Sequence, residues 1–336
     1  MKKKVVIIGA GPAGLSTAYE LSKSDEFDIT VLELEKFVGG ISRTAEYNGN
    51  RMDVGGHRFF TKVDRVNDLW HEIMPLQGQP SLDDILLQRK IELTEGGPDP
   101  EKEDCVMLKR NRISRIYFIK KFFDYPISMK ARTFINMGFW RTMKSGFGYL
   151  GSCIHKRKEK SLEDFYINRF GKPLYQLFFE SYTEKLWGVH PSKLSADWGA
   201  QRVKGLSLFK AFVSAITKPF KKKSKKVETS LISQFEYPKY GPGQLYTLLA
   251  ESLQKKGVKI DYETEVEKIV LDDNNQVKEV IAKNGKTYEA DYFVSSMPIK
   301  DLFAAIGEDK VSKEAYDTAV NLPYRDFITV GLLLDK

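Results

Sequence analysis

The sequence predicts an α/β fold in which two separated stretches of the chain build one parallel sheet and a mainly helical region is inserted between them. Lys4 to Ile8 is a short β-branched run, Pro12 to Ser24 carries apolar residues at helical spacing, and Asp28 to Glu33 becomes apolar again. From Lys130 to Ala215 apolar residues recur at three and four, and short strand-like runs return afterwards. Such a pattern is typical of a discontinuous α/β domain.

Elements before the helical region follow from local patterns. Val63 to Met74 carries a helical apolar stripe, and Gln77 to Asp104 is rich in proline, glycine and acids, which favours a loop or an inserted excursion. Arg112 to Pro126 contains two β-rich runs around Lys120 and Lys121, which predicts a hairpin. Within the helical region, helix starts are predicted at Ser161, at Pro173 and over Ser195 to Asp197.

The last third of the chain returns to mixed structure. We expect a strand over Leu231 to Tyr237, an amphipathic helix over Gln244 to Lys256 and a series of short strands with two turns over Val258 to Ser296. A further helix is expected over Ala304 to Asn321 and a final strand over Phe327 to Leu334.

Composition narrows the class of protein. The 336 residues are 42% hydrophobic and 12% aromatic, enough for a large core, and the net charge of +8 favours anionic partners such as nucleotides, phosphates or acidic lipids. Cys105 and Cys153 lie outside any CxxC spacing, which argues against a disulfide framework or a metal site and predicts a cytoplasmic location. The most apolar later stretch, Thr133 to Ile154, contains Arg141 and Lys144, so no transmembrane segment is expected.

A lysine-rich segment, Lys218 to Lys226, admits two interpretations. It could steer an anionic substrate or make peripheral contact with an acidic membrane, or it could be a simple solvated loop. Aromatic residues or a reading helix would have to be interleaved with this charge for nucleic-acid binding, so no nucleic-acid partner is predicted.

A GxGxxG motif follows the first predicted strand and opens the first predicted helix. Gly9 suits a tight turn, Gly11 a close approach to a pyrophosphate, and Gly14 close packing of helix on strand. Glu33, followed by Leu34, ends the second strand, where an acid can accept hydrogen bonds from ribose hydroxyls. The alternative is a glycine-rich loop without a ligand. The motif and its context predict a Rossmann-like βαβ dinucleotide site formed by Gly9, Ala10, Gly11, Pro12, Ala13, Gly14, Glu33 and Leu34.

A second small-residue segment indicates which dinucleotide is bound. Gly39 and Gly40, then Ser42 and Arg43, come directly after the second strand, where a second approach to a pyrophosphate needs small residues and a cation. An NAD domain has no such requirement, so the segment favours FAD. A simple turn with a surface arginine is the alternative.

These residues resemble a known FAD-binding pattern. GAGPAG, Glu33, the GGISRT segment, Glu265 with Val266, and VSSMP at Val294 to Pro298 are similar to the pattern shared by amine oxidases, carotenoid desaturases, protoporphyrinogen oxidases and UDP-galactopyranose mutases. The resemblance implies that Val266 contacts the adenine side through its backbone. It also adds Ser296 and Met297 to the expected FAD contacts.

Four further segments resemble the mutases, especially their eukaryotic-type branch. They are DVGGHRFF at Asp53 to Phe60, RISRIYFIKKFFDYPI at Arg112 to Ile127, YTEKLWGVHPSKLSADWGAQRV at Tyr182 to Val203 and FEYPKYGPGQL at Phe235 to Leu245. The first implies that Gly55, Gly56 and His57 lie against the flavin ring. The resemblance also assigns a diphosphate-binding role to Arg202 and a place beside the nucleotide or flavin to Trp187.

Each of these three assignments has a structural alternative. His57 could be a satisfied turn histidine, Arg202 a solvated helix arginine, and Trp187 a core residue. If the assignments hold, His57, Arg202 and Trp187 form the catalytic set of an isomerase that acts on a nucleotide sugar through a reduced-flavin N5 adduct, with no net redox change.

The resemblance also implies a domain order. We expect an FAD-binding domain at 1–75 and 237–300 in a three-layer arrangement, a substrate domain at 76–236 with its helical region at 130–216, and a return toward the substrate domain at 301–336. The family's chains continue further, and the remaining part would supply a second arginine and a late Gly-Arg segment over FAD.

Two departures keep other functions open. Arg115 stands where the mutases carry a substrate-pocket tyrosine, so the substrate can differ, and the chain is shorter than its relatives. An FAD-dependent oxidoreductase of the amine oxidase, protoporphyrinogen oxidase or desaturase type is the first alternative. A truncated, non-catalytic relative is the second.

Overall fold

The computed structural model describes residues 1–124, 131–202 and 234–334 except Arg325 and Phe327, with main chain alone over 200–202. The chain forms two compact units, residues 1–110 with 235–336, and residues 111–234. The lysine-rich segment Lys218 to Lys226 lies outside the described residues.

A four-stranded parallel sheet organises the first unit. Its order is β13-β1-β2-β9, formed by Tyr292–Ser295, Lys3–Ile8, Phe27–Leu32 and Lys259–Asp261. The crossover from β1 to β2 is helix α1, Pro12–Leu21. The predicted α/β fold with a parallel sheet, assembled from both ends of the described chain, is confirmed.

Alternate residues of β1 explain how the sheet is covered on both faces. Val5 and Ile7 pack with Leu15, Ala18 and buried leucines of helix α10, Pro242–Lys255. Val6 and Ile8 face the other way, into a cluster with Ile269, Val280 and Tyr288. These last three come from the antiparallel sheet of β10, β11 and β12, formed by Val266–Leu271, Val277–Ala282 and Thr287–Glu289. Successive side chains of a strand point to opposite faces, so a strand covered on both sides is apolar throughout.

The rest of the first unit extends these layers. Strands β3, Thr44–Tyr47, and β4, Asn50–Asp53, form a hairpin, which is followed by helices α2, Asp64–Ile73, and α3, Leu82–Leu86. Strand β5, Met107–Asn111, pairs with β8, Gln234–Pro238. Helices α11, Ile299–Ile306, and α12, Lys313–Val320, come last.

The second unit is mainly helical in the part that is described. It begins with the predicted hairpin of β6 and β7, Arg115–Phe118 and Lys121–Asp124, whose turn residues Ile119 and Lys120 both have positive φ. Six helices follow, α4 to α9, at Ala131–Met137, Phe139–Ile154, Leu162–Phe170, Lys172–Tyr175, Ser181–Trp187 and Ala196–Arg202. The predicted helix start at Ser161 is a capping box in which its hydroxyl accepts from the Asp164 amide at 3.2 Å.

The compact units divide the chain differently from the predicted domains, because 76–110 and 301–336 both belong to the first unit. The first stretch is held by Asp84, a buried carboxylate that accepts from Ser81 Oγ at 2.7 Å, Gln77 Nε2 at 3.2 Å and Arg110 Nη1 at 3.3 Å. The second contributes Ala305 of α11 to the cluster below the sheet. The assignment of FAD and substrate domains remains a prediction.

Two predicted elements near the end of the chain differ from the structure. The single helix expected over Ala304 to Asn321 is divided into α11 and α12, because Gly307 adopts a φ of 97° that a helix cannot continue through. The strand expected over Phe327 to Leu334 is wrong for the described residues 328–334, which form no strand and whose large apolar side chains are exposed. A strand requires a hydrogen-bonded neighbour, and none of the described strands pairs with this segment.

Candidate dinucleotide-binding site

The glycine motif forms a backbone loop between β1 and α1. Gly9 has a φ of +98°, and a Cβ there would lie 2.3 Å from Ser296 Oγ, which donates to the Ile8 carbonyl at 2.8 Å. A Cβ on Gly14 would lie 1.8 Å from the Gly9 carbonyl oxygen. Only glycine permits these approaches, so the helix begins directly on the loop.

The start of α1 is suited to an anion. Gly11 is the N-cap and offers no side chain to the helix, and Pro12 occupies the first turn. The free N–H groups of that turn therefore have no side-chain cap, and the helix dipole places partial positive charge at the same end. A phosphate at this position would accept hydrogen bonds from the main chain of the loop and of the first turn, which includes Ala13.

The segment after β2 lies against this loop. The Gly39 amide donates to the Ala10 carbonyl at 2.9 Å, and a Cβ on Gly40 would be 3.4 Å from the Gly11 Cα. Two glycine backbones thus approach each other, so main chain from both segments lies side by side. Arg43, the cation of this segment, is half-buried, and its guanidinium stacks 4.4 Å from the Phe37 ring centroid.

Glu33 joins the two segments. The carboxylate is 7% exposed, and it accepts from the Ala10 amide at 2.7 Å and from the Glu35 amide at 2.9 Å. Each carboxylate oxygen retains acceptor capacity for a ribose hydroxyl. The sequence predicts the ribose contact, and the structure adds a role in holding the glycine loop. Leu34, in contrast, is exposed.

The loop after β4 contains an unusual histidine. Gly55 has a φ of +94°, and Gly56 precedes His57. The Nδ1 atom of His57 is buried and has no hydrogen-bond partner in the described structure. A buried polar atom normally has a partner, so this nitrogen is suited to a hydrogen bond with a bound group.

A hydrogen-bonded support that sequence reasoning missed lies behind these loops. Tyr237 Oη donates to Asp53, the last residue of β4, and Thr44 Oγ1 donates to the other oxygen of Asp53 at 3.2 Å. Thr44 Oγ1 also accepts from the Gly243 amide at 3.1 Å. Burial raises the pKa of the Tyr237 hydroxyl, and the hydrogen bond to Asp53 raises it further. The FEYPKYGPGQL segment contains the signal, but its tyrosine has no distinctive spacing.

Three predicted contacts lie where the sheets meet. Val266 begins β10 and Met297 follows β13, and both pack against the cluster that contains Ile8 and Leu32. The Ser296 amide donates to the Ile8 carbonyl at 2.9 Å. These residues therefore lie at the carboxyl end of β1, the end from which the glycine loop starts.

Ser42, another predicted contact, hydrogen-bonds Tyr246. Burial raises the pKa of the Tyr246 hydroxyl, and the hydrogen bond with Ser42 opposes that rise.

Trp187 and Arg202 belong to the second unit. Trp187 ends α8, and its ring contacts Trp198 of α9 edge-on at a centroid distance of 4.4 Å. Arg202 is the last residue of α9, and its side chain lies outside the described part. The tryptophan pair thus joins α8 to the helix that carries Arg202.

The other histidines and the cysteines have ordinary surroundings. His71 Nε2 lies 2.8 Å from Glu236, and His190 Nδ1 lies 2.8 Å from Ser192 Oγ. Cys105 and Cys153 are free thiols. Over the described ranges, no group of three His, Cys, Asp or Glu side chains could hold a metal ion.

Comparison with known proteins identifies the family. The sequence matches the flavin-containing amine oxidoreductases over residues 12–336. The chain belongs to this family. Its cofactor is FAD, and the glycine loops, Glu33, Arg43 and the unpartnered His57 nitrogen suit that cofactor.

The individual relatives that the chain resembles are distant in sequence. Coproporphyrinogen III oxidase of Staphylococcus aureus is 23% identical over 304 residues, which cover 83% of this chain and 59% of that protein. The chloroplastic prolycopene isomerase of Arabidopsis thaliana is 26% identical over 323 residues, covering 92% of this chain and 50% of that protein. The chain thus spans between half and three fifths of these curated relatives.

A solved structure shows the same fold. The crystal structure of reduced UDP-galactopyranose mutase superposes with a TM-score of 0.70 at 20% identity, covering 96% of this chain and 62% of that one. Likeness at this identity supports the fold and leaves the reaction open. None of the helices in the described ranges is long and apolar enough to cross a membrane.

Proposed function

We propose that this flavoprotein is an enzyme that isomerises a nucleotide sugar, in the manner of a UDP-galactopyranose mutase. The observation that carries the proposal is the Gly-Gly-His loop, in which His57 Nδ1 is buried without a partner in the described structure. This loop belongs to the same unit as the segments 9–14 and 39–43, which are called the FAD loops. The mutase-like segments at Tyr182 to Val203 and Phe235 to Leu245 support it.

Each proposed role follows from the chemistry of the side chain. The main chain of Gly9 to Gly14 and Arg43 bind the FAD pyrophosphate, Glu33 binds a ribose hydroxyl, and His57 hydrogen-bonds the flavin ring through Nδ1. Val266 and Met297 border the same site. FAD, when bound and reduced, supplies the nucleophile that such an isomerisation requires.

The substrate roles lie in the second unit. Arg202 holds the substrate diphosphate, because a guanidinium donates to phosphate oxygens in a bidentate fork and offsets the charge that develops as the diphosphate departs. Trp187 covers the nucleotide with an aromatic face. These assignments make a nucleoside diphosphate sugar the small-molecule partner.

Anaerobic turnover tests the isomerase. The FAD-loaded chain, reduced with dithionite, should interconvert UDP-galactopyranose and UDP-galactofuranose. Chromatography of the two nucleotide sugars measures the conversion. Arg202→Ala should weaken UDP binding and leave FAD content unchanged, whereas Arg202→Lys should retain part of the affinity because it keeps the charge. Unaltered UDP affinity in Arg202→Ala would refute the phosphate role.

A redox flavoenzyme is the second candidate, and the Staphylococcus aureus relative favours it, because that protein is named coproporphyrinogen III oxidase. The Arabidopsis relative is named prolycopene isomerase and does not favour redox chemistry. Oxygen-coupled oxidation of a porphyrinogen, polyene or amine, together with no turnover of UDP-galactopyranose, would select this candidate. If the purified chain has no absorbance near about 450 nm and takes up no added FAD, the chain by itself is not a working enzyme.

A further inference from the structure

Helix α5, Phe139–Ile154, exposes its large apolar side chains. Trp140 is 82% exposed, Phe147 67% and Ile154 76%. At about 100° per residue, the six exposed residues fall within about 100° of arc on one side of the helix. This stripe consists of Phe139, Trp140, Met143, Phe147, Leu150 and Ile154.

The buried residues of α5 lie on the side opposite the stripe, and both are small. Ser145 and Ser152 are buried, and a Cβ on Gly148 would lie 2.4 Å from Pro173 Cδ, at the start of α7. A helix that only needed to pack on its own domain would direct its large apolar residues inward. The reversed distribution leaves the stripe available for another apolar phase.

The stretch of chain that carries the stripe has charge of one sign. Residues 131–158 contain no aspartate or glutamate and six basic residues, Arg132, Arg141, Lys144, Lys156, Arg157 and Lys158. Lys144 is exposed and lies about 60° from Phe147 around the helix. Arg157 lies just beyond the helix, and its guanidinium is 3.5 Å from Asp164.

We propose that α5 is a membrane-docking helix that lies in the plane of an anionic lipid surface. The stripe would enter the boundary between headgroups and acyl chains, and the flanking lysines and arginines would contact lipid phosphates. Exposed tryptophan favours this depth of a bilayer. With 16 residues, and with Arg141 and Lys144 among them, α5 is too short and too charged to span the hydrocarbon core.

Charge separates this partner from a second copy of the chain. A two-fold symmetric dimer through the stripe would place the same basic flanks of two subunits side by side, which is electrostatically unfavourable. An anionic surface complements both features at once. This inference does not depend on the reaction that the flavin site performs.

Co-sedimentation of the FAD-loaded chain with vesicles tests the proposal. The wild-type chain should bind vesicles of phosphatidylcholine mixed with phosphatidylglycerol and bind pure phosphatidylcholine weakly. Trp140→Glu and Phe147→Glu should each reduce the partition coefficient by about tenfold or more, because each removes a buried aromatic side chain from the lipid. Ile113→Glu makes the same charge change at a residue that is 78% exposed outside the helix, and it should bind like wild type.

Several results would overturn the proposal. They are equal binding to both kinds of vesicle, unchanged binding in both α5 variants, and loss of binding only when Lys221, Lys222 and Lys223 are replaced by alanine. A dimer in size-exclusion chromatography that becomes a monomer in Trp140→Glu would also overturn the proposal, because the stripe would then bind a second copy of the chain. Circular dichroism and FAD content should match wild type in every variant, and Phe147→Glu decides the outcome if Trp140→Glu misfolds.

Discussion

Gly14 lies where helix and loop backbones approach most closely. A Cβ there would be 1.8 Å from the Gly9 carbonyl oxygen, so an alanine must displace α1 or distort the phosphate loop. We expect Gly14→Ala to weaken FAD binding by about 10-fold to 100-fold, since overpacking at a rigid backbone contact costs about 1–3 kcal/mol. Titration of the deflavinated chain with FAD, followed by flavin fluorescence, measures the change.

Gly146 provides the matched control for Gly14. It also lies in a helix, but no atom is within 4 Å of its would-be Cβ. Gly146→Ala should therefore leave FAD affinity unchanged and stabilise the chain by up to about 1 kcal/mol. Equal FAD affinity of both alanine variants would show that the packing of α1 on the loop does not determine cofactor binding.

Asp84 makes the stability of the first unit depend on acid pH. Burial tends to raise the pKa of this carboxyl, but hydrogen bonds from Ser81 and Gln77 and the charge of Arg110 outweigh burial, and the pKa lies below its ordinary value of 3.8. The folded state therefore binds protons less readily than the unfolded state. The ionised Asp84 carboxylate contributes its full stabilisation at pH values above its ordinary pKa. That stabilisation is lost as the pH falls from the ordinary pKa toward the lower pKa of the folded state.

Asp84→Asn should remove this dependence. We expect a loss of about 2–4 kcal/mol in the free energy of unfolding near neutral pH, because Arg89 and Arg110 both lose their buried partner. We also expect a flatter stability profile below pH about 4. Urea unfolding at a series of pH values measures both effects. Asp83→Asn makes the same change at an exposed neighbour and should alter stability by less than about 0.5 kcal/mol. An unchanged acid slope in Asp84→Asn contradicts the assignment.

At the scale of elements, Tyr237 connects β8 to the hairpin that precedes the His57 loop. Its hydroxyl donates to Asp53 across 184 residues of sequence. Tyr237→Phe should leave that carboxylate with fewer donors, reduce stability by about 1–2 kcal/mol and weaken FAD binding several-fold, because Arg43 and His57 flank the same hairpin. Thermal unfolding and FAD titration measure the two effects, with Tyr47→Phe on the exposed end of β3 as the control. A stable variant with normal FAD affinity would show that the tether is dispensable.

Local elements were predictable because their signals are local. The β1-α1-β2 unit follows from apolar runs and glycine spacing, and α6 starts at Ser161 because that hydroxyl caps it. The pairing of β2 with β9 and of β1 with β13 depends on contacts more than 200 residues apart, which no local pattern encodes. For the same reason local spacing predicts Glu33 as a ribose partner, whereas it does not predict the bond of Glu33 to the Ala10 amide or the link from Asp53 to Tyr237.

At the scale of the whole molecule, the two compact units should respond to different ligands. The FAD loops lie in the unit of residues 1–110 and 235–336, whereas Trp187 and Arg202 lie in the unit of residues 111–234. The net charge of +8 favours both anionic ligands without selecting where they bind. The residues of each unit determine which ligand binds there, so the binding sites of FAD and of the nucleotide can be mapped in separate steps.

Hydrogen exchange in two steps tests this division. FAD alone should slow amide exchange in residues 7–15 and 33–43, because the proposed FAD contacts are on their main chain, and UDP added afterwards should slow exchange in residues 182–202. Gly14→Ala should lose the first protection at FAD concentrations that saturate wild type, and Arg202→Ala the second. UDP protection confined to residues of the first unit would place the substrate there, and the helical unit would then need another role, since neither Trp187 nor Arg202 could contact the nucleotide.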